Sequence, residues 1–126
     1  AMTAGTHGSN YGGNPLGCAI GAKVLEIVSN PVFLAEVNRK ASLMRQKLEG
    51  LVAAHPDVFE GVRGQGLMLG LKCKIAPGDL VAKGYEVGVL TVPAADNVVR
   101  LLPALNISDE DISDAVARID AAAKAL

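Results

Sequence analysis

At residue 59 the hydrophobic residues of this chain change period, and that change restricts the fold to helices packed on a small sheet. Upstream, Leu16, Ile20, Val24 and Ile27 recur at steps of three and four, and Leu34, Val37, Ala41, Met44, Leu48 and Leu51 repeat the pattern over a longer stretch. From Phe59 to Cys73 the chain is punctuated by glycine, and Leu67, Leu69, Leu71 and Cys73 alternate against Met68, Gly70 and Lys72. A helix returns to the same face every 3.6 residues and a strand every two, so neither pattern can serve as the other.

Start and stop signals divide the rest. Asn14-Pro15 and Asn30-Pro31 each place a capping side chain before a proline that suits the first helical turn, and His55-Pro56 ends the second helix. Gly17 and Gly21 thin one face of the first helix and predict a close backbone neighbour there, since each costs about 1 kcal/mol relative to alanine. The second helix turns Glu36, Arg39, Lys40, Arg45, Lys47 and Glu49 outward as a solvated face. A short helix is predicted over 77–83, stopped by Gly84. Strands follow over 87–92 and 97–102, ended by Pro93 and Pro103. Ser108 caps a last helix with Asp111 three residues on and Ile107 placed to staple against Ile112. Ile112, Val116, Ile119, Ala123 and Leu126 form its stripe. The order predicts an α+β fold, a small, mainly antiparallel sheet with helices on one face. Two segments are expected, 1–30 with a loop and helix, and 31–126 with the α+β domain.

A chain of 126 residues can bury roughly two thirds of its unfolded surface, and the core is aliphatic because the sequence has two Phe, two Tyr and no Trp. Twelve Lys and Arg against thirteen Asp and Glu give no field to recruit nucleic acid or an anionic membrane. No apolar run reaches bilayer length, and the start lacks a basic region and a hydrophobic signal core. Cys18 and Cys73, far apart and each in an apolar setting, read as buried free thiols, which fits a cytoplasmic protein.

Residues 5–16, Gly-Thr-His-Gly-Ser-Asn-Tyr-Gly-Gly-Asn-Pro-Leu, combine bendable glycines with the hydrogen-bonding side chains of Thr6, Ser9 and Asn10 just before a helix start. That combination suits a phosphate, and an ordinary glycine turn before a helix cap explains it equally well. A P-loop is excluded because Asn14-Pro15 stands where lysine and a hydroxyl are needed. A dinucleotide fingerprint fails because no strand precedes the loop. His7 and Ser9 have no orienting carboxylate nearby, and His7, His55, Cys18 and Cys73 lack metal-ligand spacing. His55 reads as a surface turn residue. Such a loop at a chain start also suggests that more protein precedes it.

Arg100 is the second candidate. Period-two geometry puts it on one strand face with Val98 and Leu102, a guanidinium among apolar side chains. Either its stem lies on apolar surface while the head reaches water, or it clamps a substrate carboxylate with its planar fork. Arg63, within Gly61-Val-Arg-Gly-Gln-Gly66, reads as support for the glycine turn.

Together the 5–16 loop, the segment Val62–Gly70 (Val-Arg-Gly-Gln-Gly-Leu-Met-Leu-Gly) and Asn97–Leu105 (Asn-Val-Val-Arg-Leu-Leu-Pro-Ala-Leu) resemble class III pyridoxal-phosphate aminotransferases, in order and spacing. The subgroup resembled acts on ornithine, its acylated derivatives and other ω-amino acids. The resemblance covers the whole chain but only the carboxyl-terminal part of such an enzyme. It implies that Ser9 and Asn10 bind the phosphate of pyridoxal 5'-phosphate across a homodimer interface, with Asn10 standing where the family has threonine. It implies further that residues 1–30 link two domains and that Arg100 holds the carboxylate of amino-acid and 2-oxo-acid substrates. The Schiff-base lysine, the aspartate facing the pyridine nitrogen and the aromatic stacked on the ring would precede residue 1, which leaves an isolated fragment inactive. A stand-alone phosphate-binding module is the alternative.

Overall fold

The computed structural model describes Thr3, Gly5 and residues 8–126. Thr6 and His7, weighed above for hydrogen bonding and catalysis, lie outside the described residues. The chain divides into two compact units, Ala1–Ala35 and Glu36–Leu126, with the division inside the second helix.

In the first unit, α1 (Pro15–Val28) starts where the sequence places it. Asn14 Oδ1 accepts the Gly17 N–H at 2.7 Å, and Asn14 Nδ2 donates to the Tyr11 carbonyl at 2.7 Å. That cap explains Gly17: a Cβ there would approach Asn14 Nδ2 to 2.8 Å, whereas one on Gly21 would meet nothing within 4 Å. Gly17 alone therefore makes room for the capping side chain, and the backbone neighbour expected from the glycine spacing is absent among the described residues. No residue of α1 is buried. Cys18, expected inside, is exposed for the same reason. Asn30 Oδ1 takes the Val32 N–H at 2.9 Å at the start of α2 (Pro31–Ala54).

The second unit holds the core. Val37, Ala41, Met44, Leu48 and Leu51 of α2 are buried, as their spacing predicts. After a turn come β1 (Phe59–Gln65) and β2 (Met68–Cys73), then α3 (Pro77–Glu86), β3 (Val92–Ala94), β4 (Val98–Leu101) and α4 (Asp109–Lys124). All strand pairs are antiparallel, in the order β1-β2-β4-β3. Leu69 pairs with Leu101 and Leu71 with Val99, so these four buried side chains share the face that meets the helices. Ile112, Ile119, Ala122 and Ala123 of α4 and Leu80 and Val81 of α3 complete the core.

Three local expectations change. Gly84 lies within α3, not at its end, because the helix packs so closely there that a Cβ would sit 3.0 Å from the Val89 carbonyl. The chain turns at Gly88 instead, with φ +77. The strand expected over 87–92 is only Val92–Ala94, and Pro93 stands inside it. An edge strand tolerates a proline that a central one does not.

α4 begins as its cap signature requires: the Asp111 N–H donates to Ser108 Oγ at 3.0 Å, and Ser108 Oγ donates to Asp111 Oδ2 at 2.7 Å. The charged side of α2 is more than a solvated face. Arg39 bridges Glu36 on its own helix and both carboxylate oxygens of Asp109 at the start of α4, and Arg45 donates to the Gly64 carbonyl at 2.6 Å.

His55 is likewise no surface turn residue: only 13% of its side chain is exposed, and Nε2 lies 2.6 Å from Asp120 Oδ1. Lys124 Nζ donates to the other Asp120 oxygen at 2.6 Å. His55 first, then Lys124, hold the Asp120 carboxyl below its ordinary value. A carboxyl depressed in the folded state contributes stability that is present above its unfolded pKa and lost as pH falls through the folded one. The stability margin of wild type over Asp120→Asn, followed by urea unfolding at a series of pH values, is expected to shrink as pH is taken down through 3.8 and below. A constant margin would contradict this.

Candidate functional site

The sheet has one face against the helices and one face open. Because residues paired across strands share a face, the register places Arg63, Gly70, Arg100 and Val92 in one row across the open side. The neighbouring row is Gly61, Lys72, Val98 and Ala94. Arg63, Gly64, Met68, Leu69, Gly70, Ala94, Ala95, Asp96, Val98 and Arg100 line a shallow cavity of ≈ 450 Å³ on this side. Gly70 clears its floor: a Cβ there would come within 2.5 Å of Val98 Cγ1.

Arg100 is exposed in that cavity and makes no side-chain hydrogen bond or ion pair with any described residue. The odd placement read from the strand period is thus a cation on an open floor. Arg63 differs. It pairs with Asp96, which also receives Lys72 Nζ at 3.0 Å. These bonds, Lys72 first and Arg63 next, hold the Asp96 carboxyl below its usual range. Arg63 therefore reaches across to the β3–β4 turn and does more than support the glycine turn.

Asp96 is placed by strained backbone. Asp96 and Asn97 have φ values of 61 and 58, a left-handed conformation that Asp and Asn tolerate better than most residues. The Asn97 amide donates to the carbonyls of Cys73 at 2.7 Å and Ile75 at 2.8 Å, and its own carbonyl accepts the Cys73 N–H at 2.8 Å. Cys73 is buried as expected, and burial pushes its thiol up. Sequence reasoning missed Asp96 because its partners stand 24 and 33 residues away. The Asp-Asn pair at a hairpin turn was the one available signal.

Ser9 and Asn10 lie in the other unit, both exposed, in the turn before α1. A Cβ on Gly12 would fall 3.1 Å from Ser9 Oγ, so the glycine lets the turn close around that hydroxyl. With a hydroxyl, an amide and no acidic residue in the first turn of α1, the donor set suits a phosphate. Asn14 already takes the Gly17 N–H and Pro15 has none, so the donors this turn still offers are Ser9, Asn10 and loop N–H groups. Among the described residues no cluster of His, Cys, Asp and Glu suits a metal ion.

A four-stranded antiparallel sheet with helices against one face matches the carboxyl-terminal portion of class III aminotransferase structures. The family model "Aminotransferase class-III" matches residues 1–123, and the chain belongs to that pyridoxal-phosphate-dependent family. It is 70% identical over 125 residues to acetylornithine aminotransferase of Rhodobacter capsulatus, covering 99% of this chain and 32% of that protein. The crystal structure of acetylornithine aminotransferase from Elizabethkingia anophelis superposes with a TM-score of 0.83 at 30% identity, over 99% of this chain and 34% of that one. Ornithine aminotransferase from Toxoplasma gondii, described with partial occupancy of PLP at its active site, gives 0.81 at 32% identity, over 98% of this chain and 30% of that one. The chain thus spans about a third of the length of these relatives.

Proposed function

We propose that the full-length protein carrying this chain transfers an amino group from N-acetylornithine to 2-oxoglutarate as a cytoplasmic homodimer. The observation that carries the reading is Arg100, an exposed guanidinium without a side-chain partner among the described residues, on the floor of an open cavity. A carboxylate laid on that floor gains two parallel charge-assisted hydrogen bonds and a fixed orientation. Identity of 70% to an acetylornithine aminotransferase supports the choice of donor.

Ser9 and Asn10 would hold the phosphate of pyridoxal 5'-phosphate, the hydroxyl and the amide N–H each donating to a phosphate oxygen, in the neighbouring subunit's site. When bound, the cofactor supplies an electron-withdrawing ring that stabilises negative charge beside the transferred nitrogen. Asn10 donates through an amide where the family has a threonine hydroxyl, so the phosphate contact there is longer in reach and carries no proton-accepting hydroxyl. Arg100 fixes the carboxylate of donor and acceptor in turn.

Steady-state assays of the full-length enzyme with N-acetylornithine, ornithine, N-succinylornithine and 4-aminobutyrate test the reading. N-acetylornithine is expected to lead in kcat/KM by about tenfold or more, the scale on which a binding site discriminates neighbouring substrates. The isolated 126-residue chain, assayed alongside, is expected to show no turnover. Equal use of all four donors, or turnover by the isolated chain, would count against it.

A further inference from the structure

Arg100 has apolar neighbours on the open sheet face. It pairs with Gly70 across β2 and β4, and Met68, two residues before Gly70, stands on the same face because a strand repeats every two residues. Between them Leu69 is buried on the helix side. Met68 is 54% exposed and lines the same cavity as Arg100. Diagonal neighbours on one sheet face lie about 7–8 Å apart, within reach of a side chain as long as methionine.

The cavity is thereby sorted by chemistry. Asp96 gathers Arg63 and Lys72 into one charged cluster. The surface beside Arg100 is apolar, from Met68 across the bare Gly70 to Val98, Ala94 and Ala95. An open cation bordered by aliphatic surface matches a carboxylate that continues into a methylene chain.

We propose that Met68 is a specificity-determining residue: with its carboxylate on Arg100, each substrate packs its methylene stretch against the Met68 thioether side chain. The proposal rests on the Arg100 reading above. Both substrates named there supply such a stretch, three methylenes in N-acetylornithine and two in 2-oxoglutarate. The contact is with methylenes alone, so the dicarboxylate acceptor and the monocarboxylate donor use it alike. One wall has to serve both, and methionine meets that demand because its unbranched, rotatable side chain repacks against ligands of different length.

The test uses the full-length enzyme and a homologous series of competitive inhibitors, acetate, propanoate, butanoate and pentanoate. Each brings one carboxylate to Arg100, and the four differ only in methylenes. In wild type, binding is expected to tighten about two- to threefold per added methylene, less than the roughly fourfold of a fully buried one because the cavity is shallow. Met68→Ser is expected to flatten that increase while leaving acetate, too short to reach the side chain, bound as in wild type. Met68→Leu, close in volume, is expected to keep most of the increase. An equal weakening of all four acids in Met68→Ser marks a structural role and overturns the proposal. An increase per methylene that Met68→Ser leaves unchanged overturns it too, with Arg100 left standing. Arg100→Lys is expected to weaken all four acids by one common factor; if it weakens none, the Arg100 reading falls and the proposal with it.

Discussion

Replacing Arg100 by alanine in the full-length enzyme is expected to lower kcat/KM for both the amino donor and the oxo-acid acceptor by about 10²–10³-fold. The figure follows from losing a bidentate, charge-assisted contact of roughly 3–4 kcal/mol. Folding should be spared, because the Arg100 side chain has no hydrogen-bond or ion-pair partner among the described residues and is exposed. Equal thermal midpoints for variant and wild type would separate a binding defect from a folding one. Arg100→Lys should recover only part of the loss, since an ammonium offers a point charge where the fork fixed a plane. An alanine variant with an undisturbed kcat/KM would remove Arg100 from substrate binding altogether.

The largest stability effect is expected at Gly64. Its φ of +108 is forbidding to L side chains, and a Cβ would lie 2.1 Å from the Met68 carbonyl oxygen and 3.0 Å from Leu69 Cα. Both obstacles are backbone of the paired strand, so nothing can swing aside. Gly64→Ala must either break the β1–β2 register or carry strain, at a cost of about 3–5 kcal/mol when left-handed strain and overpacking are combined. Urea unfolding of the chain should show the midpoint fall sharply. A loss below about 1 kcal/mol, within reach of an ordinary surface change, would contradict the geometry.

What was legible in the sequence follows from which forces are local. The α2 stripe, the Leu67-to-Cys73 alternation and the Ser108 cap depend on residues within a turn or two of each other, so period and spacing recover them. Arg63 with Asp96 and His55 with Asp120 depend on pairs that only tertiary folding brings together, 33 and 65 positions apart. Glycine and proline misled for a related reason. Gly84 and Pro93 were read as stops by local propensity, whereas close packing requires the first within α3 and an edge position permits the second within β3. Cys18 looked buried because its neighbours are apolar, yet no residue of α1 is buried. Arg100 was legible because period two alone put a cation on a face shared with Val98, while the Asp96 that singles it out was not.

The short outer strand β3 has a bearing on how the chain behaves among other chains. A sheet edge is a template on which a stray extended segment can add itself, and crowded, freshly made polypeptides supply many such segments. Three residues with a proline in the middle make a poor template, because the ring removes a donor and blocks close approach. Pro93 thus acts as a guard against runaway strand addition, at the same edge of the sheet where Val92 and Ala94 leave only a few backbone groups to recruit a newcomer.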